Sequence, residues 1–205
     1  MGFYERKIVP KLIELAMRQG PIQRYRQGLV PLARGRVLEV GVGSGLNLPL
    51  YAKDVSEVVG IDPSEPLLDL ARRRAVEASV PIDLRQGSAT DLPLVSESID
   101  TLVMTWTLCS IPEPLAALRE MRRVLKPGGT MLFIEHGLSP QPGVARWQRR
   151  LTPLWRRFAG GCHLDRKIDD LVRTAGFDLA RLKTEYSAGP RPMTYMYEGC
   201  AIRSA

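Results

Sequence analysis

Ten residues, Arg36-Val37-Leu38-Glu39-Val40-Gly41-Val42-Gly43-Ser44-Gly45, restrict the fold more than any other stretch of the chain. An aliphatic, β-branched run ends in an acid and passes at once into three alternate glycines. The run suits a strand buried on both faces of a parallel sheet. The glycines suit a backbone that turns sharply and lies against a ligand. A second apolar run, Val58-Val59-Gly60-Ile61, follows and is capped by Asp62. Strand, glycine loop, helix, strand and terminal acid make the nucleotide-binding half of a doubly wound α/β domain. Asp62 is then placed to grip ribose hydroxyls.

The rest of the chain continues the alternation. Its spacing predicts strands at 36–40, 57–61, 82–86, 99–104 and 130–135, with helices at 45–52, 65–78 and 113–125. Ser64 suits the N-cap of the second of these helices. Arg122, Arg123 and Lys126 suit the C-terminus of the third, which Lys126-Pro127-Gly128-Gly129 stops. An amphipathic helix over 3–18 is expected ahead of the first strand, with Phe3, Ile8, Leu12, Leu15 and Ala16 near one face and Gly20-Pro21 ending it. After the fifth strand, two helical pieces over 143–160 are expected, divided at Thr152-Pro153. A helix at 166–175 and two strands at 177–184 and 193–202 close the chain. The expected fold is one α/β domain with a doubly wound, seven-stranded, mostly parallel, Rossmann-like sheet and a helical cap. Residues 1–30 form an N-terminal helical cap in this reading and 31–205 the domain proper, with its core at 36–136.

A length of 205 residues suits a single core, and 44% hydrophobic with 25% charged residues excludes disorder throughout. Cys109, Cys162 and Cys200 are too few for a disulfide framework and include no C-x-x-C pair. No metal is therefore expected, and a reducing, cytoplasmic setting is the simplest reading. Residues 1–20 carry Glu5, Arg6, Lys7, Lys11 and Glu14, unlike a signal peptide, and no run of 18 apolar residues occurs. The net charge of +7 weakly favours anionic partners.

Glycine spacing separates two cofactor classes. Dehydrogenases prefer G-x-G-x-x-G, whose third glycine lets the helix pack on the strand. Here the spacing is G-x-G-x-G, which suits a cofactor with no pyrophosphate at the helix N-terminus. Four segments stand in the order and spacing of one family: Leu38 to Gly45, Gly60-Ile61-Asp62, Ser98-Ile99-Asp100-Thr101-Leu102-Val103 and Arg123-Val124-Leu125-Lys126-Pro127-Gly128-Gly129. Across residues 36–136 the chain resembles the class I S-adenosylmethionine-dependent methyltransferases, in the ubiquinone/menaquinone-type subgroup called methyltransferase type 11.

The resemblance implies S-adenosylmethionine as methyl donor and S-adenosylhomocysteine as product. It implies that Glu39 and the backbone at Gly41 and Gly43 face the methionine and ribose end, within a loop completed by Gly45. Asp62 would take both ribose hydroxyls and Pro63 would border the adenine. Ser88 and Ala89 would lie beside the adenine ring, and Thr105 and Trp106 would line the floor under the sulfonium. Many relatives carry an acid where Ser88 stands, so a backbone carbonyl or Asp91 is left to meet the adenine amino group.

A closer resemblance concerns the acceptor. Thr107-Leu108-Cys109-Ser110, Glu135-His136 and Gly161-Cys162-His163-Leu164-Asp165-Arg166 are similar to segments of the methyltransferase-like alkyl-thiol methyltransferases, and they extend the resemblance to about residue 176. Membrane-bound relatives begin with a hydrophobic anchor, whereas this chain begins with the charged 1–20 segment. The resemblance implies a small lipophilic acceptor, a thiol ahead of a phospholipid amine or a quinone. The contrasting reading is a cofactor-binding fold without catalysis that serves as an interaction module. His136, at the end of the fifth strand, is the candidate proton acceptor, or else it bonds loop backbone. Cys109 and Cys162 are either reactive thiols or small buried packing residues. Cys162-His163 lacks further ligands for a metal.

The segment 141–160 holds Arg146, Arg149, Arg150, Arg156 and Arg157 with no acid. Trp147, Leu151, Leu154, Trp155 and Phe158 fall on a common helical stripe. Such a helix lies on anionic lipid as a peripheral contact or covers a lipophilic acceptor. The alternative is a cap that buries its stripe on the domain. No nucleic-acid module is recognisable, and no nucleic acid is expected as a partner.

Overall fold

The computed structural model describes residues 14, 15 and 17–204, and all seven expected strands are among them. They are β1 (Gly35–Val40), β2 (Val55–Asp62), β3 (Ile82–Gln86), β4 (Ile99–Thr105), β5 (Leu125–His136), β6 (Phe177–Tyr186) and β7 (Tyr195–Arg203). They form one sheet in the order β3-β2-β1-β4-β5-β7-β6. β7 runs antiparallel to both neighbours and every other pairing is parallel. Parallel neighbours need a long crossover, whereas β6 and β7 are joined by a short connection and pair as a hairpin.

The pleat explains why these strands read as continuous apolar runs. Leu38, Val40, Leu102, Met104, Met131 and Phe133 enter one core, which also takes residues of α3 (Pro114–Val124) and α5 (Ile168–Thr174). Val37, Val58, Val103, Leu132 and Ile134 enter a second core, shared with α1 (Gly20–Leu29) and α2 (Glu65–Ala75). Alternate residues thus face opposite layers, and both layers are filled. Phe133 pairs with Gly199 across β5 and β7, where a Cβ would stand 2.2 Å from the ring.

Three helical expectations differ from the structure. No α-helix follows the glycine loop at 45–52; only a single 3₁₀ turn, Leu48–Leu50, is present. Pro49 supplies no backbone donor at the middle of that stretch, so a continuous α-helix would lose a bond there. A helix does end ahead of Gly20-Pro21, with Glu14, Leu15 and Met17 helical, Arg18 in a turn and Gln19 in a bend. A helix that the spacing does not predict, α1, then opens at Gly20 with Pro21 in its first turn, where the missing N–H costs nothing. Most of the helix expected over 3–18, including Phe3, Ile8 and Leu12, lies outside the described residues.

The two helical pieces expected over 143–160 are one helix, α4 (Pro142–Phe158), that runs through Pro153. Thr152 Oγ1 donates to the Gln148 carbonyl at 2.8 Å, and the carbonyl that Pro153 leaves free belongs to exposed Arg149. This helix buries its aromatic stripe only in part, with Leu151 and Trp155 half-buried. Its buried residues are Ala145, Gln148 and Thr152, while Trp147, Leu154 and Phe158 are 57%, 62% and 59% exposed. Gln148 explains the inward polar face, because it accepts from the Ser139 N–H and donates to the Gly137 and Pro192 carbonyls.

Strand order reverses between β1 and β4, so their crossovers leave in opposite directions and a crevice opens at the carboxyl edge. Val40, Asp62, Thr105 and His136 end the four strands that border it.

Candidate active site

On the β1–β2 side, the backbone after β1 folds against β2. The Gly41 N–H donates to the Ile61 carbonyl at 2.8 Å, and Gly41 has φ +71°. Gly43 has φ +54°, and a Cβ built there would meet nothing nearer than the Gly41 carbonyl at 3.9 Å. That open cradle is what a ligand-facing glycine requires, since a side chain would fill it. The Gly43 N–H donates to Asp62 Oδ2 at 2.9 Å and the Ser64 N–H to Oδ1 at 2.8 Å. Ser64 stands at the N-cap position of α2 as expected, although its hydroxyl makes no cap bond, and Asp62 holds the Ser64 amide that leads into the helix. Burial raises the Asp62 pKa against the pull of these two amides. Each oxygen retains a second lone pair, so the carboxylate remains able to accept from two ribose hydroxyls.

Glu39 lies beneath the loop, fully enclosed. Tyr51 donates to its Oε2 at 2.7 Å and Asn47 Nδ2 to its Oε1 at 2.9 Å. Burial pushes its pKa up to about 7, opposed by those bonds and by the charge of Arg26. Asn47 also donates to Thr105 Oγ1 at 3.1 Å, and its own Oδ1 is buried without a partner. Glu39 thus braces β1, β4 and the segment after the loop, while the neighbouring Asn47 carbonyl stays free to accept.

Pro63 and Ser88 are exposed and Ala89 is half-buried. The Ser88 hydroxyl pairs with Thr90 Oγ1 at 2.7 Å, and Ser88 bridges Asp91.

Trp106 follows β4 with φ +52°, a conformation that bulky residues rarely adopt and that clusters at functional sites. Its N–H donates to the Ile134 carbonyl at 2.7 Å. Arg26 of α1 stands 4.8 Å above the Trp106 ring, and Tyr25 meets that ring edge-on at 6.3 Å. Arg26 is almost fully buried, and burial pulls its pKa down to about 10. α1 thus packs Tyr25 and Arg26 against the Trp106 ring, with the cation over its face.

Glu135 on β5 is completely buried and accepts from three successive amides, Thr107 at 2.7 Å, Leu108 at 2.8 Å and Cys109 at 3.4 Å. Three converging N–H groups form an anion nest that fixes the turn after Trp106. Next along the strand, His136 Nε2 lies 3.0 Å from Cys162 Sγ, and its Nδ1 is buried without a partner. Trp155 Nε1 donates to the same sulfur at 3.3 Å. The His163 N–H donates to the Cys109 carbonyl at 2.8 Å. His136 accordingly makes no bond to loop backbone, and the three segments of the acceptor-side resemblance meet at one point.

The structure brings Glu39, Gly41, Gly43, Asp62, Thr105, Trp106 and His136 to one edge of the sheet. Sequence reasoning assigned no role to Tyr25, Arg26, Asn47, Tyr51 or Glu135. Asn47 and Tyr51, polar residues four apart directly after the glycine loop, were the readable signal. Arg26 carried none, because its partners lie far along the chain.

The methyltransferase-domain family matches residues 38–133. The human thiol S-methyltransferase TMT1B is 31% identical over 180 residues, covering 82% of this chain and 69% of that protein. The phosphatidylethanolamine N-methyltransferase of Cereibacter sphaeroides is 43% identical over 120 residues, covering 58% of this chain and 59% of that protein. The chain spans about half to two thirds of the length of several curated relatives that it matches. A SAM-dependent methyltransferase structure from Thermotoga maritima superposes with a TM-score of 0.69 at 22% identity, over 98% of this chain and all of that one.

Proposed function

The chain belongs to the class I S-adenosylmethionine-dependent methyltransferases of the type 11 group, and we propose that it carries a methyl group from S-adenosylmethionine to a small lipophilic thiol. The cofactor half fits an adenosine-bearing donor: an open glycine cradle at Gly43, and a carboxylate on Asp62 with lone pairs to spare. When bound, S-adenosylmethionine supplies a methyl group on a positively charged sulfur. The chain's own task is to orient the acceptor, exclude water and remove its proton, and orientation alone can contribute about 7–11 kcal/mol. Thr105, Trp106 and the covering pair Tyr25 and Arg26 form the water-excluding floor and roof.

The observation that carries the acceptor class is the convergence of Cys109, His136 and Cys162 at the carboxyl ends of β4 and β5. The thiolate is the reactive form of a thiol. A buried cluster of soft donors and an imidazole suits the capture and deprotonation of such an acceptor better than a quinol or a phospholipid amine. The experiment is transfer of an isotope-labelled methyl group to a panel holding an alkyl thiol, a demethylated quinol and a phospholipid amine. Label in the thioether is the expected result. Turnover of quinol or amine with none of the thiol would overturn the acceptor class and leave the family unchanged.

A lipophilic acceptor partitions into lipid, and α4 is the face we assign to a lipid surface. Trp147, Leu154 and Phe158 stand exposed on it among five arginines. A groove of about 570 Å³ at the N-terminal half of α4 is lined by Arg146, Arg149 and Arg150 together with Leu138, Pro140 and Pro142. Apolar insertion with arginine–phosphate contact is the mode of an interfacial helix. Co-sedimentation with anionic but not neutral phosphatidylcholine vesicles is expected, and its loss in the Trp147→Ser, Phe158→Ser double variant. Binding unchanged in that variant would remove α4 from the lipid surface. The same helix favours the runner-up acceptor, a phospholipid amine. Among the described residues no helix is long and apolar enough to cross a membrane.

A further inference from the structure

Cys109 in the turn after β4, His136 at the last position of β5 and Cys162 in the loop after α4 match no ligand spacing in the sequence. In space, the two Sγ atoms and a ring nitrogen of His136 all lie within 4.8 Å of one another. The three residues are only 2%, 9% and 9% exposed. Each is positioned independently. The Glu135 nest holds the amide of Cys109, strand pairing with Met196 holds His136, and the Ala159 carbonyl accepts from the Cys162 N–H at 3.1 Å. Among the described residues the imidazole has no oxygen partner: Nε2 meets the Cys162 sulfur at 3.0 Å, with the Cys109 sulfur also close, and Nδ1 has no partner. A buried imidazole without a hydrogen bond to oxygen, beside two sulfurs, lacks the bonds that would explain it as a packing residue.

We propose that Cys109, His136 and Cys162 bind one zinc ion as a three-ligand site with its fourth position open. Two thiolates and an imidazole are a soft donor set that selects zinc over magnesium or calcium. Bonds of about 2.3 Å to sulfur and about 2.0 Å to nitrogen put tetrahedral ligand atoms roughly 3.5–3.8 Å apart. The cluster reaches that spacing if His136 and Cys162 part slightly from 3.0 Å and the widest pair closes by at most about an ångström. Cys109 and Cys162 bind as thiolates and give their protons to solvent. Trp155 Nε1–H, already directed at the Cys162 sulfur, orients that ligand from outside. Three protein ligands and one open position is the count of a catalytic rather than a structural zinc.

The open position suits a thiol, which on coordination loses its proton to solvent. His136 is then a ligand rather than a free base. Arg166, half-buried and bonded to the Leu108 carbonyl, offsets the net negative charge of an ion carrying three thiolates. This last role rests on the thiol-acceptor reading; the zinc site itself does not.

The test uses the full chain, expressed with zinc and kept reduced. Elemental analysis is expected to find one zinc per chain, removable by a chelator. Cobalt(II) added to the stripped protein should give a thiolate-to-cobalt charge-transfer band. Cys109→Ser and Cys162→Ser should each weaken cobalt binding roughly tenfold or more, whereas Cys200→Ser should not. Calorimetric binding of S-adenosylmethionine reports whether each variant is folded. Absence of both zinc and the cobalt band, or full binding in the Cys109→Ser, Cys162→Ser double variant, would overturn the site. So would a Cys109–Cys162 disulfide, found by mass spectrometry after peroxide treatment, in a protein that takes up neither metal. A zinc-loaded protein that methylates no thiol would overturn the acceptor reading and leave the site standing. Thiol turnover undiminished after stripping would overturn the link between them.

Discussion

On the β1–β2 side of the carboxyl edge, the groups facing the crevice come from two adjacent turns, whereas on the β4–β5 side they come from three distant segments. The first side presents backbone amides and one carboxylate, and its geometry is set by glycine conformation and by the two amides bound to Asp62. The second presents cysteine, histidine and tryptophan side chains, organised around the buried carboxylate of Glu135. Backbone recognition tolerates little variation and suits a fixed cofactor. Side-chain recognition can be rebuilt without touching the fold, which suits an acceptor that differs between related enzymes.

The sharpest way to break this contrast is Gly43→Val. Open space around Gly43 lets the chain fold, but the new side chain fills the cradle and must adopt a positive φ. Calorimetry should find no binding of S-adenosylmethionine in a variant that still unfolds cooperatively; retained binding would remove the cradle from the cofactor side. Asp62→Ala comes next. It removes charge-assisted bonds worth about 1.5–3 kcal/mol, so affinity should fall at least roughly tenfold. An unchanged affinity would detach Asp62 from the ribose.

Glu135→Gln tests the other side. The amide places donors against the donors of Thr107, Leu108 and Cys109, and a loss of about 2 kcal/mol in urea denaturation is expected. The loss should come with reduced thiol turnover and near-normal cofactor affinity. A pH dependence tests the brace beneath the glycine loop. The folded-state pKa of Glu39 is raised from 4.5 to about 7, so the stability of its protonated form is complete below pH 4.5 and is lost as pH rises to about 7. Glu39→Gln should flatten the stability profile in that window. An unaltered slope would mean that Glu39 is already ionised in the native state.

The same contrast explains what could be read from the sequence. The four central strands β1, β2, β4 and β5 were legible because each carries an apolar run buried on both faces, and the loop because alternate glycines occur together. Asp62 was legible because it ends a strand two residues before the Ser64 cap position. The missing helix at 45–52 turned on one residue, Pro49. The continuity of α4 turned on Thr152 and on an exposed carbonyl, neither of which has a sequence pattern. Its orientation depended on Gln148, a single polar residue that three distant partners hold inside. The Cys109, His136 and Cys162 cluster has no local period at all. Only the pairing of β4 with β5 and the return of the chain after α4 bring those side chains together.

Trp155→Ala gives the most direct test of a divided edge. Trp155 donates to the Cys162 sulfur, on the β4–β5 side of the edge. Its loss should raise the KM for a lipophilic thiol severalfold or more while the Kd for S-adenosylmethionine stays within about twofold, a change under ~0.5 kcal/mol. Equal losses of cofactor and acceptor affinity in this variant would contradict the division on which the account rests.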